Sequence, residues 1–126
     1  MENYEYPFEK LRVYQESRRM VASIYKLLQC YPSEEKYALC AQMRRSAVSV
    51  SSNIAEGTSR TSYRDKLYFL EMAYGSLMEL YSQLQVSFDL GYISAEVYTA
   101  SRQWITNVAQ PLSGLRNSYL KQIDKH

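Results

Sequence analysis

The chain has 126 residues, enough for one domain with a buried core, so neither disulfides nor a metal are needed to hold it together. Apolar residues make up 46% and there are only 4 glycines and 3 prolines, which argues for long helices and against a turn-rich β fold. A net charge of +2 and a pI of 8.5 neither demand a polyanion as partner nor repel one, so the placement of the charges has to decide.

No run of roughly 18 apolar residues is present, and the start Met1-Glu2-Asn3-Tyr4-Glu5-Tyr6-Pro7 is acidic and aromatic, unlike a cationic signal segment. A cytoplasmic protein without membrane association is expected. Cys30 and Cys40 lie either side of a predicted helix-helix turn, and in a reducing compartment both are expected to remain free thiols.

Residues 1–8 read as a tail, because Pro7 ends any preceding structure. Helix one is predicted over residues 9–29, with Leu11, Tyr14, Val21, Ile24, Tyr25 and Leu28 facing inward. Tyr31-Pro32-Ser33 breaks the pattern. Ser33 is placed to cap helix two, predicted over 34–56, and Glu34 and Glu35 fall in its first turn where negative charge suits the helix dipole.

Helix two is unusual. Leu39, Met43, Ala47, Val50 and Ile54 form one face by their spacing, but the opposite face of Ala41, Arg45, Val48, Ser52 and Ala55 is mostly small, with Ser46 and Ser49 on the flanks. A helix that can be approached from both sides is either central in its bundle or packed against a second copy. Gly57 reads as its stop, since glycine takes the left-handed conformation common at helix ends.

Ser62 with Asp65 is a capping-box variant that opens helix three, where Tyr63, Leu67, Leu70, Tyr74, Leu77, Tyr81, Leu84 and Phe88 alternate three and four apart. Gly75, beside Ser76, marks either a close helix crossing or a tolerated exposed glycine. Gly91 ends the helix. Ser94 caps helix four, whose inward set is Val97, Trp104, Ile105, Val108, Leu112, Leu115 and Tyr119. Pro111 either bends that helix or ends it before a short fifth one. Long helices joined by short connections predict an all-α fold, an antiparallel up-down-up-down four-helix bundle over residues 9–120, with a second tail at 121–126.

Chemistry is mostly excluded. A di-iron bundle needs inward Glu-x-x-His pairs, yet the single histidine is His126, and Cys30 and Cys40 have no partners at ligand spacing. Ser46, Ser49, Ser51 and Ser52 have no base to activate them, and no phosphate-cradling glycine loop exists. No enzyme, metal or cofactor is expected. Of the polar residues Gln42, Asn53 and Glu79, Asn53 follows Val50 by three, so a hydrogen bond across helices or subunits is favoured over a binding role.

Basic residues fall into two groups: Arg12, Arg18, Arg19 and Lys26 on helix one, and Arg44, Arg45, Arg60, Arg64 and Lys66 on helix two and the turn after it. If these faces align they form a phosphate-binding surface, with neighbouring tyrosines available to stack on unpaired bases. Solvated faces without a nucleic-acid role are the alternative.

Phe8-Glu9-Lys10-Leu11-Arg12-Val13-Tyr14, Gln42-Met43-Arg44-Arg45-Ser46-Ala47-Val48-Ser49-Val50, Ser52-Asn53-Ile54-Ala55-Glu56-Gly57 and Ala73-Tyr74-Gly75-Ser76-Leu77-Met78-Glu79-Leu80 together resemble the 23S rRNA intervening-sequence proteins. The resemblance spans nearly the whole chain and implies an antiparallel bundle assembled as a ring, a homopentamer, with no catalytic residues. The chain is also similar to the basic accessory protein of diversity-generating retroelements, which binds nucleic acid and a reverse transcriptase. Expected partners are therefore copies of the chain itself, RNA or DNA, and alternatively a protein. Gln42, Ser49, Ser52, Asn53, Glu56, Gly57, Gly75 and Glu79 make up the set expected at packing and subunit contacts.

Overall fold

The computed structural model describes residues 4–125; residues 1–3 of the predicted first tail and His126 lie outside them. Four helices, α1 (Arg12–Leu28), α2 (Leu39–Thr58), α3 (Tyr63–Asp89) and α4 (Ala95–Asp124), carry the fold, and the described residues contain no strand. Each helix packs on two others in a closed cycle: α2 on α3, α3 on α4, α4 on α1 and α1 on α2. The segment from Gln42 to Gly57 is therefore no more central than its neighbours.

The start of helix one is displaced. Pro7–Lys10 forms a 3-10 turn, closed by the Glu9 carboxylate accepting from the Tyr6 N–H at 2.7 Å, and Phe8 packs edge-on against Tyr14. The turn reaches back onto α2. Helix two also starts late. Ser33 makes no cap, and Ser33–Glu35 is a second 3-10 turn. Glu35 instead accepts from the Leu39 N–H at 3.3 Å and from the Tyr92 hydroxyl at 2.7 Å, tying the start of α2 to the segment before α4.

Gly57 does not stop α2. The helix runs on to Thr58, and Gly91, at φ +77°, is the described glycine with a left-handed backbone. Carbonyls at the end of α2 are satisfied by side chains: Thr58 donates to Ile54, Ser59 to Ala55, and the Lys66 ammonium to the Thr58 carbonyl. Gly57 serves another purpose. A Cβ there would fall within 2.8 Å of Phe69 Cβ and 3.2 Å of the Lys66 carbonyl oxygen, so the missing side chain lets α3 lie against α2. Gly75, by contrast, faces open space, and no close crossing occurs at it.

Both predicted caps of the later helices form: Asp65 N–H donates to Ser62 Oγ and Val97 N–H to Ser94 Oγ, each at 3.1 Å. α4 passes through Pro111 without ending and continues to Asp124, so residues 121–124 are helical where a tail was expected.

The core is apolar: Ile24, Met43, Ala47, Val50, Ile54, Leu70, Ala73, Leu77, Leu80, Leu84, Val108 and Leu112 are fully buried. Each helix also buries one serine completely, Ser17, Ser46, Ser87 and Ser101. All four hydroxyls donate to a carbonyl three or four residues back in their own helix, so they are satisfied locally, and Ser87 also lies 3.7 Å from the Met43 sulfur of α2. A small, internally bonded residue narrows the helix surface at no hydrogen-bond cost.

These serines correct the predicted inward faces. α1 buries Val13, Ser17, Met20, Ile24 and Leu28, while Leu11, Tyr14 and Val21 flank the core and Tyr25 is exposed. α4 centres on Ser101, Ile105, Val108 and Leu112, with Trp104, Leu115 and Tyr119 only partly buried. On α3 the row shifts to Leu70, Ala73, Leu77, Leu80 and Leu84, leaving Tyr63 and Phe88 exposed at its ends. Bulky side chains at the rim had drawn the expected stripes away from the true axis.

Candidate nucleic-acid interface

The small-residue side of α2 is covered in part. Ser49 meets Ser76 of α3, hydroxyl to hydroxyl at 2.8 Å, and the Asn53 amide donates to the Ser49 carbonyl at 2.9 Å and to its hydroxyl at 3.1 Å. Since Asn53 occupies a lone pair of the Ser49 oxygen, the Ser49 hydrogen is available to Ser76. The cross-helix bond is thus made by Ser49, with Asn53 orienting it from within α2. Gln42 is exposed, as are Ser52, Glu56 and Val48, so the far side of α2 meets water in the single chain.

The basic residues divide by their partners. Arg45 reaches Glu79 of α3 at 2.9 Å, Arg60 reaches Glu56 at 2.9 Å while its guanidinium lies 4.5 Å from the Phe69 ring centre, and Arg19 reaches Glu16 at 3.1 Å. These three are neutralised locally. Arg12, Arg18, Lys26, Arg44 and Arg64 have no carboxylate within salt-bridge distance among the described residues. Arg18 sits over the Tyr14 ring, and Lys66 is drawn to the Thr58 carbonyl and the Tyr119 ring.

Of the two predicted groups, Arg44 lies beside a cation that belongs to neither, Lys36. Beside the turn between α1 and α2, a cavity of about 400 Å³ is lined by Tyr25 and Leu28 of α1, Tyr31 of the turn, and Lys36, Cys40 and Arg44. Arg44 is held there by donating to the Lys36 carbonyl at 2.9 Å. Burial pushes the Cys40 thiol up, while the Arg44 guanidinium pulls it down and the Glu35 carboxylate pushes it up. Cys30 and Cys40 are both free, one exposed and one buried.

Lys36 and Tyr31 escaped the sequence reading. Lys36 precedes Arg44 by eight residues across a break in the helix, where helical periodicity has no meaning. Arg102 was missed as well: its Nε donates to the Tyr81 hydroxyl at 2.9 Å, Tyr81 lies 3.1 Å from the Tyr98 hydroxyl, and Phe88 stacks on Tyr98. The Tyr98 and Arg102 hydrogen bonds hold the Tyr81 phenol below its usual range. Among the described residues no cluster of His, Cys, Asp and Glu could hold a metal, and no helix is long and apolar enough to cross a membrane.

This is an all-α protein of four mutually packed helices. Residues 9–114 match the model of the 23S rRNA-intervening sequence protein family, and the chain belongs to that family. It is similar in fold to a crystal structure of a protein of unknown function from the S23 ribosomal protein family of Bacteroides thetaiotaomicron. The TM-score is 0.77 at 24% identity, over 83% of this chain and 95% of that one. A comparison with curated proteins finds no significant match.

Proposed function

We propose that this protein is a non-enzymatic cytoplasmic bundle that assembles with copies of itself into a ring, a pentamer, and binds RNA or DNA through basic residues repeated around that ring. The observation that carries the reading is the set of cations without a carboxylate partner among the described residues, Arg12, Arg18, Lys26, Arg44 and Arg64. A cation already paired gains little from a phosphate, whereas an unpaired one releases counterions on binding and draws the strand in. Repeating a modest patch around an assembly multiplies its effect through effective concentration.

The antiparallel up-down-up-down course belongs to the same proposal. Its support is the order of the cross-helix pairs: Arg45 with Glu79, Ser49 with Ser76 and Thr58 with Lys66 between α2 and α3, then Arg116 with Glu71 and Arg102 with Tyr81 between α4 and α3. Later residues of one helix meet earlier residues of the next.

Self-assembly is supported by the outer faces. Tyr68, Met72 and Val86 of α3 are exposed in one row with Gly75 and with Leu90 at the helix end, and Val48 and Ser52 of α2 are exposed too. Apolar side chains interspersed with small ones suit coverage by another helix. The same row favours a second reading, a protein-interaction scaffold in which the arginines are only solvated.

Electrophoretic retardation of structured RNA across a salt series separates the two. The nucleic-acid reading expects binding that weakens steeply with salt, and no retardation at low salt removes it. Light scattering of the purified protein tests the ring, which a stable monomer would contradict.

A further inference from the structure

We infer that the cavity between the end of α1 and the start of α2 binds a single nucleotide, its base between tyrosines and its phosphate on Lys36 and Arg44. The volume of about 400 Å³ falls inside the usual range for small-ligand sites. That space holds one base with its ribose phosphate and not a folded strand.

The lining selects the chemistry. Lys36 and Arg44 bring two positive charges to it, and no acidic residue lines it, so a cation is disfavoured and an anion welcomed. Arg44 spends one guanidinium donor on the Lys36 carbonyl, which fixes its position and leaves its remaining N–H groups for phosphate oxygens. Tyr25 and Tyr31 offer aromatic surface, and Leu28 with buried Cys40 forms an apolar floor on which a purine or pyrimidine is better placed than a sugar or a bare phosphate. The Tyr31 ring packs against the Tyr92 ring at 5.4 Å, the two tilted by 57°. Tyr92 in turn holds Glu35 at 2.7 Å, keeping that carboxylate on a hydrogen bond outside the lining. The Glu35 charge still reaches Cys40, but the charged side chains in the lining itself are Lys36 and Arg44.

The source of the nucleotide rests on the proposed nucleic-acid binding: an unpaired unit of a strand, or a free mononucleotide of the same chemistry. The test is a two-dimensional NMR titration of the isotopically labelled full chain with adenosine 5′-monophosphate, inorganic phosphate and a short unpaired oligonucleotide. Expected are shifts at Leu28, Cys40 and Arg44 with the mononucleotide or the oligonucleotide, and smaller ones with phosphate alone. Tyr25→Ala and Arg44→Gln should each weaken that binding about tenfold while leaving the circular dichroism of the helices unchanged. Shifts with the oligonucleotide only assign the site to a strand, and shifts with the mononucleotide only assign it to a free ligand; either result upholds the cavity. If neither ligand moves these resonances, the inference is overturned. Retarded RNA with a silent cavity overturns the inference and leaves the wider nucleic-acid reading standing, whereas mononucleotide binding without RNA retardation does the reverse.

Discussion

Gly57 of α2 and Phe69 of α3 approach so closely that a Cβ on the glycine would stand 2.8 Å from the Cβ of the phenylalanine. Neither neighbour yields easily, because one is the rigid root of a side chain and the other, the Lys66 carbonyl oxygen at 3.2 Å, is backbone. Gly57→Ala should therefore destabilise the fold by ~1–3 kcal/mol despite the better helix propensity of alanine. Gly75→Ala is the internal control. With nothing within 4 Å of the added methyl, it should stabilise the single chain by up to ~1 kcal/mol. Urea unfolding of both variants checks the pair, and a harmless Gly57→Ala would refute the close approach.

Arg45 and Glu79 join α2 to α3 at 2.9 Å, but their side chains are 63% and 41% exposed. Water and salt screen such a pair, so a double-mutant cycle with Arg45→Ala and Glu79→Ala should give a coupling below ~1 kcal/mol, falling further in high salt. A larger coupling would mean that the pair is covered by something, such as another subunit.

Tyr92 carries the clearest pH signature. Its hydrogen bond to the Glu35 carboxylate, with burial and that same negative charge, pushes the phenol up to about 12 from 10.0. A folded-state value above the unfolded one means that the folded chain holds its proton longer. The stabilisation is complete below pH 10, declines between 10 and about 12, and is gone above that. Tyr92→Phe should be less stable than the parent near neutral pH, and the difference should shrink through that window. Parallel stability curves for the two proteins would disprove the linkage.

The division between paired and unpaired cations predicts different mutational effects on RNA binding. Arg18→Ala or Arg64→Ala should each reduce the slope of log affinity against log salt by about 0.7–0.9, the value for one phosphate contact. Arg60→Ala, which loses a cation already held by Glu56, should change it much less. Equal slopes for all three would mean that the unpaired residues do not touch phosphate.

What the sequence determined by itself is the set of helices and much of their punctuation. Ser62, Ser94 and Gly91 act locally, through one side-chain bond or one backbone angle, so the residues that carry the signal are also its neighbours in the chain. The tertiary structure decided what depends on partners distant in sequence. Ser33 caps no α-helix because α2 begins only at Leu39, where Glu35, held by Tyr92, accepts from the Leu39 N–H, and Gly57 became a contact point instead of a terminus because Phe69 lies on it. The buried serines could not be told from surface ones, since their hydroxyls bond within their own helices and their burial depends on what packs over them. Likewise, of nine candidate cations only the packing distinguished Arg45, captured by Glu79, from Arg44, which lines a cavity with Lys36: charge is written in the sequence, but its compensation is a matter of distance in three dimensions.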